Sequence, residues 1–267
     1  MRTIKLYLRF FAASLKNLLE YRLGFLTEMF TTIVFYGTTG LTLWILLDRF
    51  KVIKGWTLYQ ALFLFNLNVI AYGIAAFIFY WSMVYMEQMI QRGEFDIVLI
   101  RPMNSLLYTI MGRNYPSFIG HLILGAILFA ICGVHLAIHV TALKVIFLVL
   151  DIGGAVLIHS ALFLIVGALT FWIVRSYSLF DVMTNTFDHL IDYPVSIYGK
   201  AIQGFLTFII PMAFINFYPA RFFLQRTGDN LFNPVLQYGT PAVGIVFFFL
   251  AYQLWKIGVN RYESTGS

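Results

Sequence analysis

The chain alternates between long apolar stretches and shorter polar ones. An α-helix rises about 1.5 Å per residue, so roughly 20 apolar residues cross a hydrocarbon layer of roughly 30 Å. From this pattern we predict an all-α membrane protein with six transmembrane helices. The predicted spans are residues 24–47, 58–82, 118–138, 143–174, 202–224 and 241–255.

The longest polar interruption in the first half of the chain lies between the second and third predicted spans, at residues 91–104. Gly93 lies near its start, and Pro102, which cannot continue a helix, lies near its end. Four charged residues, Arg92, Glu94, Asp96 and Arg101, surround five apolar ones, Phe95, Ile97, Val98, Leu99 and Ile100. We predict a short helix that buries its apolar residues and turns its charges to water or to a docking partner. An ordinary interhelical loop is the alternative.

Residues 1–22 mix apolar and basic side chains before the first span. The basic residues Arg2, Lys5, Arg9 and Lys16 advance by three, four and seven positions, which places them on one face of a helix. Such a segment is typical of a helix that lies among lipid head groups. We therefore predict an N-terminal interfacial helix in contact with membrane lipid.

Several polar side chains fall inside the predicted spans, where they are costly and often functional. Glu28, in the first span, is either an anchor at the interface or a functional charge. Asn66 and Asn68, in the second, indicate contacts between helices or the lining of a cavity. Asp151 and His159 share one face of the fourth span and are the strongest candidates for a substrate path. A buried carboxylate with a structural partner is the alternative for Asp151.

Two further segments flank the fifth predicted span. Residues 176–200 carry three aspartates and are predicted to form a polar connection on the same side of the membrane as residues 91–104. Pro211 interrupts the span itself. Residues 225–240 contain glycine, asparagine and proline but remain partly apolar, and we predict that they re-enter the membrane from the outer side as a broken helix.

Composition and charge agree with a membrane protein. Hydrophobic residues make up 60% of the 267 positions and charged residues 11%, far from the average of soluble domains. The net charge of +6 is explained by basic residues beside the spans, which set topology, so no nucleic-acid partner is expected. With the N-terminus inside, twelve of the 18 lysines and arginines fall on the inner side. This distribution predicts cytoplasmic termini and places residues 91–104 in the cytoplasm.

Catalytic motifs are scarce. Gly199-Lys200 lacks the upstream glycine and the following serine or threonine of a phosphate-binding loop. His135 and His139 have a spacing that suits a metal on one helix, but no cysteine pair or carboxylate lies near them in sequence. Cys132 lies in an apolar run and is expected to be a packing residue. We therefore expect neither enzymatic activity nor a bound cofactor or metal in this chain.

Four short motifs occur in order along the chain. They are Arg92-Gly93-Glu94-Phe95-Asp96 with Leu99 and Arg101-Pro102-Met103-Asn104, Tyr193-Pro194 with Ile197-Tyr198, Ile210-Pro211-Met212-Ala213-Phe214 with Asn216-Phe217-Tyr218-Pro219-Ala220, and Trp255, Gly258 and Arg261-Tyr262-Glu263-Ser264. Together with six spans, they resemble the permease subunit of type-2 ABC exporters, in the bacterial branch once described as a domain of unknown function. The resemblance covers nearly the whole chain.

In that family two permease chains pair, and two cytoplasmic ATPases bind beneath them. The resemblance implies an interfacial helix at residues 1–22, a coupling helix at 91–104 and an outer re-entrant segment at 225–240. It also implies a bacterial inner-membrane location, with ATP and magnesium bound by the partner ATPase. The substrate, a lipid, peptide, natural product or drug, stays open, as does the identity of the second permease chain.

Two other classes of protein remain as alternatives. An ion-coupled secondary transporter would carry protons on Asp151 and Glu28 and would need no ATPase. A membrane enzyme or lipid-binding scaffold would need clustered catalytic residues, which are not evident in the sequence.

Overall fold

The computed structural model describes residues 22–111, 118–136, 138, 141–173, 176–226 and 232–263. Nearly all of the predicted interfacial helix, residues 1–22, lies outside this part of the chain, so that prediction is untested. Within the described residues the α-helices are α1 (Arg22–Phe50), α2 (Leu58–Val84), α3 (Met86–Gln91), α4 (Phe95–Leu99), α5 (Ser105–Met111), α6 (Ile119–His135), α7 (Ala142–Leu169), α8 (Tyr177–Asp181), α9 (Asp188–Leu190), α10 (Lys200–Gly204), α11 (Phe217–Phe223) and α12 (Thr240–Arg261).

Four helices in the described part are long and apolar enough to cross a membrane. They cover Leu26–Arg49, Leu58–Gln91, Ala142–Leu169 and Thr240–Arg261, and a bent pair of helices would make a fifth span if it were counted as one. The chain is therefore a multi-pass membrane protein. The predicted number of six spans is not confirmed, because α6, the predicted third span, has 17 residues and the predicted fifth span is broken.

The α2 helix is the centre of the bundle, because 72% of the residues in its most apolar part are buried. It begins at Thr57, whose backbone N–H donates to the Gln60 side chain over 3.2 Å. α6 runs antiparallel to α2, and α7 and α12 run parallel to it. We call the end of the bundle that carries α4 the α4 end. We call the opposite end, where Arg226 donates to the Gly55 carbonyl oxygen over 2.7 Å, the far end.

The parallel helices α7 and α12 meet backbone to backbone. A Cβ atom added at Gly154 would lie 2.6 Å from the carbonyl oxygen of Thr240, and one added at Gly244 would meet the carbonyl oxygen of Gly154. Small residues allow this close approach, which is a common means of packing helices inside a membrane. Toward the α4 end, the side chain of Phe171 lies against Gly258, where a Cβ atom would meet the Phe171 ring.

The predicted fifth span, residues 202–224, is sharply bent where Pro211 was expected to interrupt it. Lys200–Ile209 and Met212–Phe223 are bent by 81° relative to each other. The break coincides with Pro211, which has no N–H to donate within a helix. The bend also precedes the predicted re-entrant segment, residues 225–240. Of that segment, residues 227–231 lie outside the described part, and Pro234–Tyr238 is a short 3-10 helix.

Residues 176–200 were predicted as a polar connection, but their first part is a helix within the bundle. α8 continues through a π-helix, Val182–Phe187, into α9, so the helical run covers Tyr177–Leu190. It runs antiparallel to α2, from Glu87 beside Ser176 to Asn68 beside Asp188. The sequence pattern missed this run because its aspartates interrupt the apolar periodicity.

We expect Gly154→Ala to destabilise the protein, because the new methyl group would meet the Thr240 carbonyl, part of a backbone that cannot rotate away. Forced shifts of this kind cost about 1–3 kcal/mol. The melting temperature of the purified protein in detergent measures the effect.

Gly153→Ala is the matched control, since an added Cβ there meets nothing within 4 Å and alanine favours a helix. Equal melting temperatures for the two variants would contradict the backbone contact between α7 and α12.

Candidate functional site

The predicted docking element, residues 91–104, is a tight turn followed by the short helix α4. α3 ends at Gln91, and Gly93 has a φ of +67°, a conformation that glycine adopts without strain. The Gly93 N–H donates to the Ile90 carbonyl over 3.1 Å, and the Asp96 N–H donates to the Gly93 carbonyl over 3.2 Å. The glycine therefore allows the chain to turn sharply from α3 into α4.

Phe95 fixes α4 to the bundle. Its side chain is fully buried, and its ring centroid lies 5.1 Å from that of Phe171, 6.1 Å from that of Trp255 and 5.1 Å from that of Tyr262. These partners stand at the α4 ends of α7 and α12. Edge-to-face aromatic pairs at such distances are each worth roughly 0.5–1.5 kcal/mol beyond their area burial. α4 is therefore attached to both helices through one side chain.

The outer side of α4 is more apolar than predicted. Val98 is buried with Phe95, but Ile97, Leu99 and Ile100 are 49%, 43% and 79% exposed. The expectation that all five apolar residues are buried is therefore wrong for three of them. The reason is geometric, since positions i and i+3 of a five-residue helix share one side and the remaining positions point elsewhere.

Charged and polar groups surround this apolar surface. Arg92 and Glu94 approach within 3.9 Å, and the Arg101 guanidinium lies 6.0 Å from the ring centroid of Tyr108. Asp96 occupies the first turn of α4, and Pro102 lies exposed beyond its end. Residues Arg92, Gly93, Glu94, Phe95, Asp96, Arg101 and Pro102, predicted as the coupling set, are thus arranged around one short helix.

Glu87 is a structural residue that sequence reasoning missed. Its Oε2 atom accepts hydrogen bonds from the backbone N–H groups of Ser176 and Tyr177, at 2.9 Å and 2.8 Å. The first N–H groups of a helix lack intrahelical partners, and a carboxylate there is favourable. Glu87 therefore links α3, next to the docking element, to the start of the Tyr177–Leu190 run.

A second group of polar side chains lies in the middle of the bundle. The Asn68 amide oxygen accepts from His159 Nε2 over 2.9 Å, and the Asn68 Nδ2 donates to Asp188 Oδ1 over 3.5 Å. All three side chains are buried. One turn further along, His189 Nδ1 lies 2.7 Å from Asp192 Oδ2. The cluster joins α2, α7 and α9, and its two aspartates were not among the predicted site residues.

The other predicted polar residues lie elsewhere. Asn66 donates to the Gly125 carbonyl of α6 over 3.0 Å. Asp151 is 1% exposed, so it faces protein, but neither of its carboxylate oxygens has a hydrogen-bond partner among the described residues. It makes no hydrogen bond with His159, although the two share a helix face. The predicted substrate-path set, Asn66, Asn68, Asp151 and His159, is thus divided among three places.

No arrangement suited to a metal ion occurs within the described residues. The ring of His135 lies against Tyr59, with 3.9 Å between centroids. His139, its predicted companion, is outside the described part.

Comparison with known proteins gives one match. The family model described as "ABC-2 family transporter protein" matches residues 33–266, which is most of the chain. No curated protein and no solved structure shows a significant match.

We expect Asn68→Ala to destabilise the protein more than Asn66→Ala does. Removing Asn68 deprives two buried side chains, His159 and Asp188, of a partner, whereas removing Asn66 affects one backbone carbonyl. A buried polar group left without its partner costs about 1–3 kcal/mol. Thermal unfolding in nanodiscs measures the difference, and equal effects of the two substitutions would disprove the bridging role of Asn68.

Proposed function

The chain belongs to the ABC-2 family of transporter proteins, and we propose that it is the transmembrane permease subunit of an ATP-driven exporter. The observation that carries this proposal is α4, a short helix with an exposed apolar surface that is fixed to two long helices. A permease of this kind is a membrane component without catalysis of its own. ATP and magnesium bind in separate cytoplasmic ABC ATPase subunits.

The surface of α4 has the chemistry of a protein interface. Ile97, Leu99 and Ile100 form an exposed apolar centre, and Arg92, Glu94, Asp96 and Arg101 surround it with charge. Specific interfaces combine an apolar centre with a polar rim, and exposed apolar groups at a membrane protein's aqueous end favour a partner. We assign residues 91–104 as the coupling helix that an ATPase contacts.

Movement of α4 reaches the transmembrane helices through Phe95. Close-packed interiors transmit displacement rather than absorb it, so a push on α4 acts on Phe171 and Trp255. Those residues belong to the ends of α7 and α12, which the contact between Gly154 and Gly244 holds together. The two helices then move as one body when the ATPases close, which is a rigid-body transition.

Six membrane crossings follow if the two shorter helical runs are included. Four helices are each long enough to cross the membrane, namely α1, α2, α7 and α12. The two shorter runs, α6 and Tyr177–Leu190, are antiparallel to α2, so each can return the chain across the membrane before the next long helix. Lys200 follows the Tyr177–Leu190 run, which leads away from the α4 end, so we now assign Lys200 to the outer side. The number of basic residues then becomes eleven on the inner side and seven on the outer side, instead of twelve and six. The majority still places the α4 end and both termini in the cytoplasm of a bacterial cell, with the chain in its inner membrane.

One chain of this size does not enclose a large path, so the working unit contains two permease chains and two ATPases. The substrate is an amphiphilic molecule, such as a lipid, peptide, natural product or drug, taken from the cytoplasm or the inner leaflet. No observation on the described residues favours the ion-coupled secondary transporter.

We expect Ile100→Asp to weaken binding of the ATPase encoded beside this chain by at least about tenfold. The substitution places a charge at the exposed apolar residue that ends α4, where docking removes water, and tenfold corresponds to about 1.4 kcal/mol. Biolayer interferometry with the purified permease in nanodiscs measures the dissociation constant.

Val52→Asp is the matched control, because Val52 is 48% exposed and lies in the connection at the far end. Unchanged ATPase binding by Ile100→Asp would remove α4 from the docking surface.

Native mass spectrometry of the complex, extracted with its genomic neighbours, tests the assembly. We expect two permease chains with two ATPase subunits, and the two permease masses show whether they are copies. A single permease chain per complex, or transport by this chain without any ATPase, would overturn the exporter assignment.

A further inference from the structure

An apolar cavity, the far-end cavity, lies between α2, α6, α7 and α11 at the far end of the bundle. Its volume is about 180 Å³. Three phenylalanines, three aliphatic residues and a glycine line it, and Lys144 is the charged residue of the described lining. An apolar cavity of about 150 Å³ takes a benzene molecule. The far-end cavity is therefore large enough for a short segment of an alkyl chain.

The aromatic wall of the cavity joins three helices. The ring centroid of Phe63 on α2 lies 5.8 Å from that of Phe129 on α6 and 6.0 Å from that of Phe223 on α11. Because these rings pack on one another, the wall exists before any ligand binds, and binding does not carry the cost of ordering it. Gly133 and Val145, two other residues of the lining, are exposed, so the cavity opens to the surface of the bundle.

The lining is ordered by depth along α6 and α7. Lys144 lies in the first turn of α7, where this helix begins at the far end, and Leu148 lies one turn deeper. On the antiparallel helix α6, Phe129 lies one turn deeper than Gly133. The charged group is thus at the rim and the apolar wall lies beneath it. A membrane lipid has its head group and its acyl chains in the same order.

Lys144 brings a positive charge without a counter-ion to this rim. Its side chain is half-buried, and among the described residues its ammonium group has neither an ion pair nor a hydrogen bond. Asp151 shares its helix face but lies seven positions deeper and does not line the cavity. Lys51, also at the far end, differs in this respect, since Asp48 lies 3.6 Å from it. A partly buried charge is stabilised by a partner, and an anion that arrives with a ligand supplies one.

We propose that the far-end cavity binds an anionic phospholipid, with the upper part of one acyl chain in the cavity and the phosphate beside Lys144. A zwitterionic lipid carries its own ammonium group, which competes with Lys144 for the phosphate, so the anionic lipid is preferred. One lysine near an anionic head group corresponds to a preference of about fivefold. The proposal goes beyond the exporter function and does not rest on it, because the cavity lies at the opposite end of the bundle from α4.

Photo-crosslinking of the full chain in phosphatidylcholine nanodiscs tests the head-group preference. The probes are phosphatidylglycerol and phosphatidylcholine, each with a diazirine near the carboxyl end of one acyl chain and each added as a small fraction of the lipid. Peptide mass spectrometry measures the labelling of residues 144–148, which form one side of the cavity. We expect the phosphatidylglycerol probe to label them about fivefold more than the phosphatidylcholine probe. Equal labelling by the two probes would overturn the proposal.

A variant that fills the cavity locates the acyl chain. A Cβ atom added at Gly133 meets nothing within 4 Å, so the side chain of Gly133→Leu extends into the open space of the cavity. We expect this variant to lose most of the labelling of residues 144–148 by both probes. Gly153→Leu is the matched control, since Gly153 also has free space for a side chain but lies outside the lining. The same labelling in both variants would show that the chain does not enter the cavity.

Lys144→Gln separates the effect of charge from that of shape. We expect its labelling by the phosphatidylglycerol probe to fall to the level of the phosphatidylcholine probe, which itself stays unchanged. Lys54→Gln is the control, because it removes an exposed lysine at the same end but outside the lining. A preference for phosphatidylglycerol that persists in Lys144→Gln would overturn the proposal. All variants are checked for a monodisperse elution profile, and Lys144→Gln decides the question even if Gly133→Leu does not fold.

Discussion

The backbone contact between α7 and α12 is the constraint on which the α4 end depends. Gly154 and Gly244 let the two helices approach until carbonyl oxygens meet α-carbons, and this fixes their relative height. With that height set, Phe171 lies against Gly258 and beside Trp255, and the space that remains takes the ring of Phe95. The position of α4 therefore depends on a contact between α7 and α12 that lies inside the bundle, away from α4 itself.

A membrane adds a second constraint, because polar groups in its interior find no water. Asn68 satisfies this at the centre of the bundle by bonding His159 on one side and Asp188 on the other. The π-helix before Asp188 shifts the register of the run, and such insertions often occur at functional sites. Asp151, whose two carboxylate oxygens are buried without a hydrogen-bond partner among the described residues, is one of the places where this rule is not met.

The sequence could predict the features that depend on local pattern. The long helices α1, α2, α7 and α12 follow from uninterrupted apolar runs, and the turn at Gly93 follows from the need for a positive φ. Features that depend on partners distant in sequence were missed or misplaced. The Tyr177–Leu190 run contains Asp188, whose polar side chain is buried beside Asn68 of α2. Pro211 predicted an interruption of the fifth span, but not the 81° bend between its two parts.

The candidate site also combines features that the sequence predicts with features that depend on distant partners. Charges at residues 92–101 were visible as a polar interruption, but which apolar residues of α4 remain exposed depends on where Phe95 packs. Glu87 escaped attention because it lies near the end of the long apolar stretch Leu58–Gln91, and its role appears when Ser176 and Tyr177 are brought beside it.

The α4 helix is connected to the α4 end of α2 through α3. Trp81 and Tyr80 stand on the last turns of α2, and α3 with Glu87 continues directly from them. Glu87 holds the start of the Tyr177–Leu190 run, and Phe180 of that run lies 5.2 Å from Tyr80. If the chain works as the proposed exporter, a displacement of α3 that accompanies α4 would act on this run through Glu87, in addition to the path from Phe95 to α7 and α12.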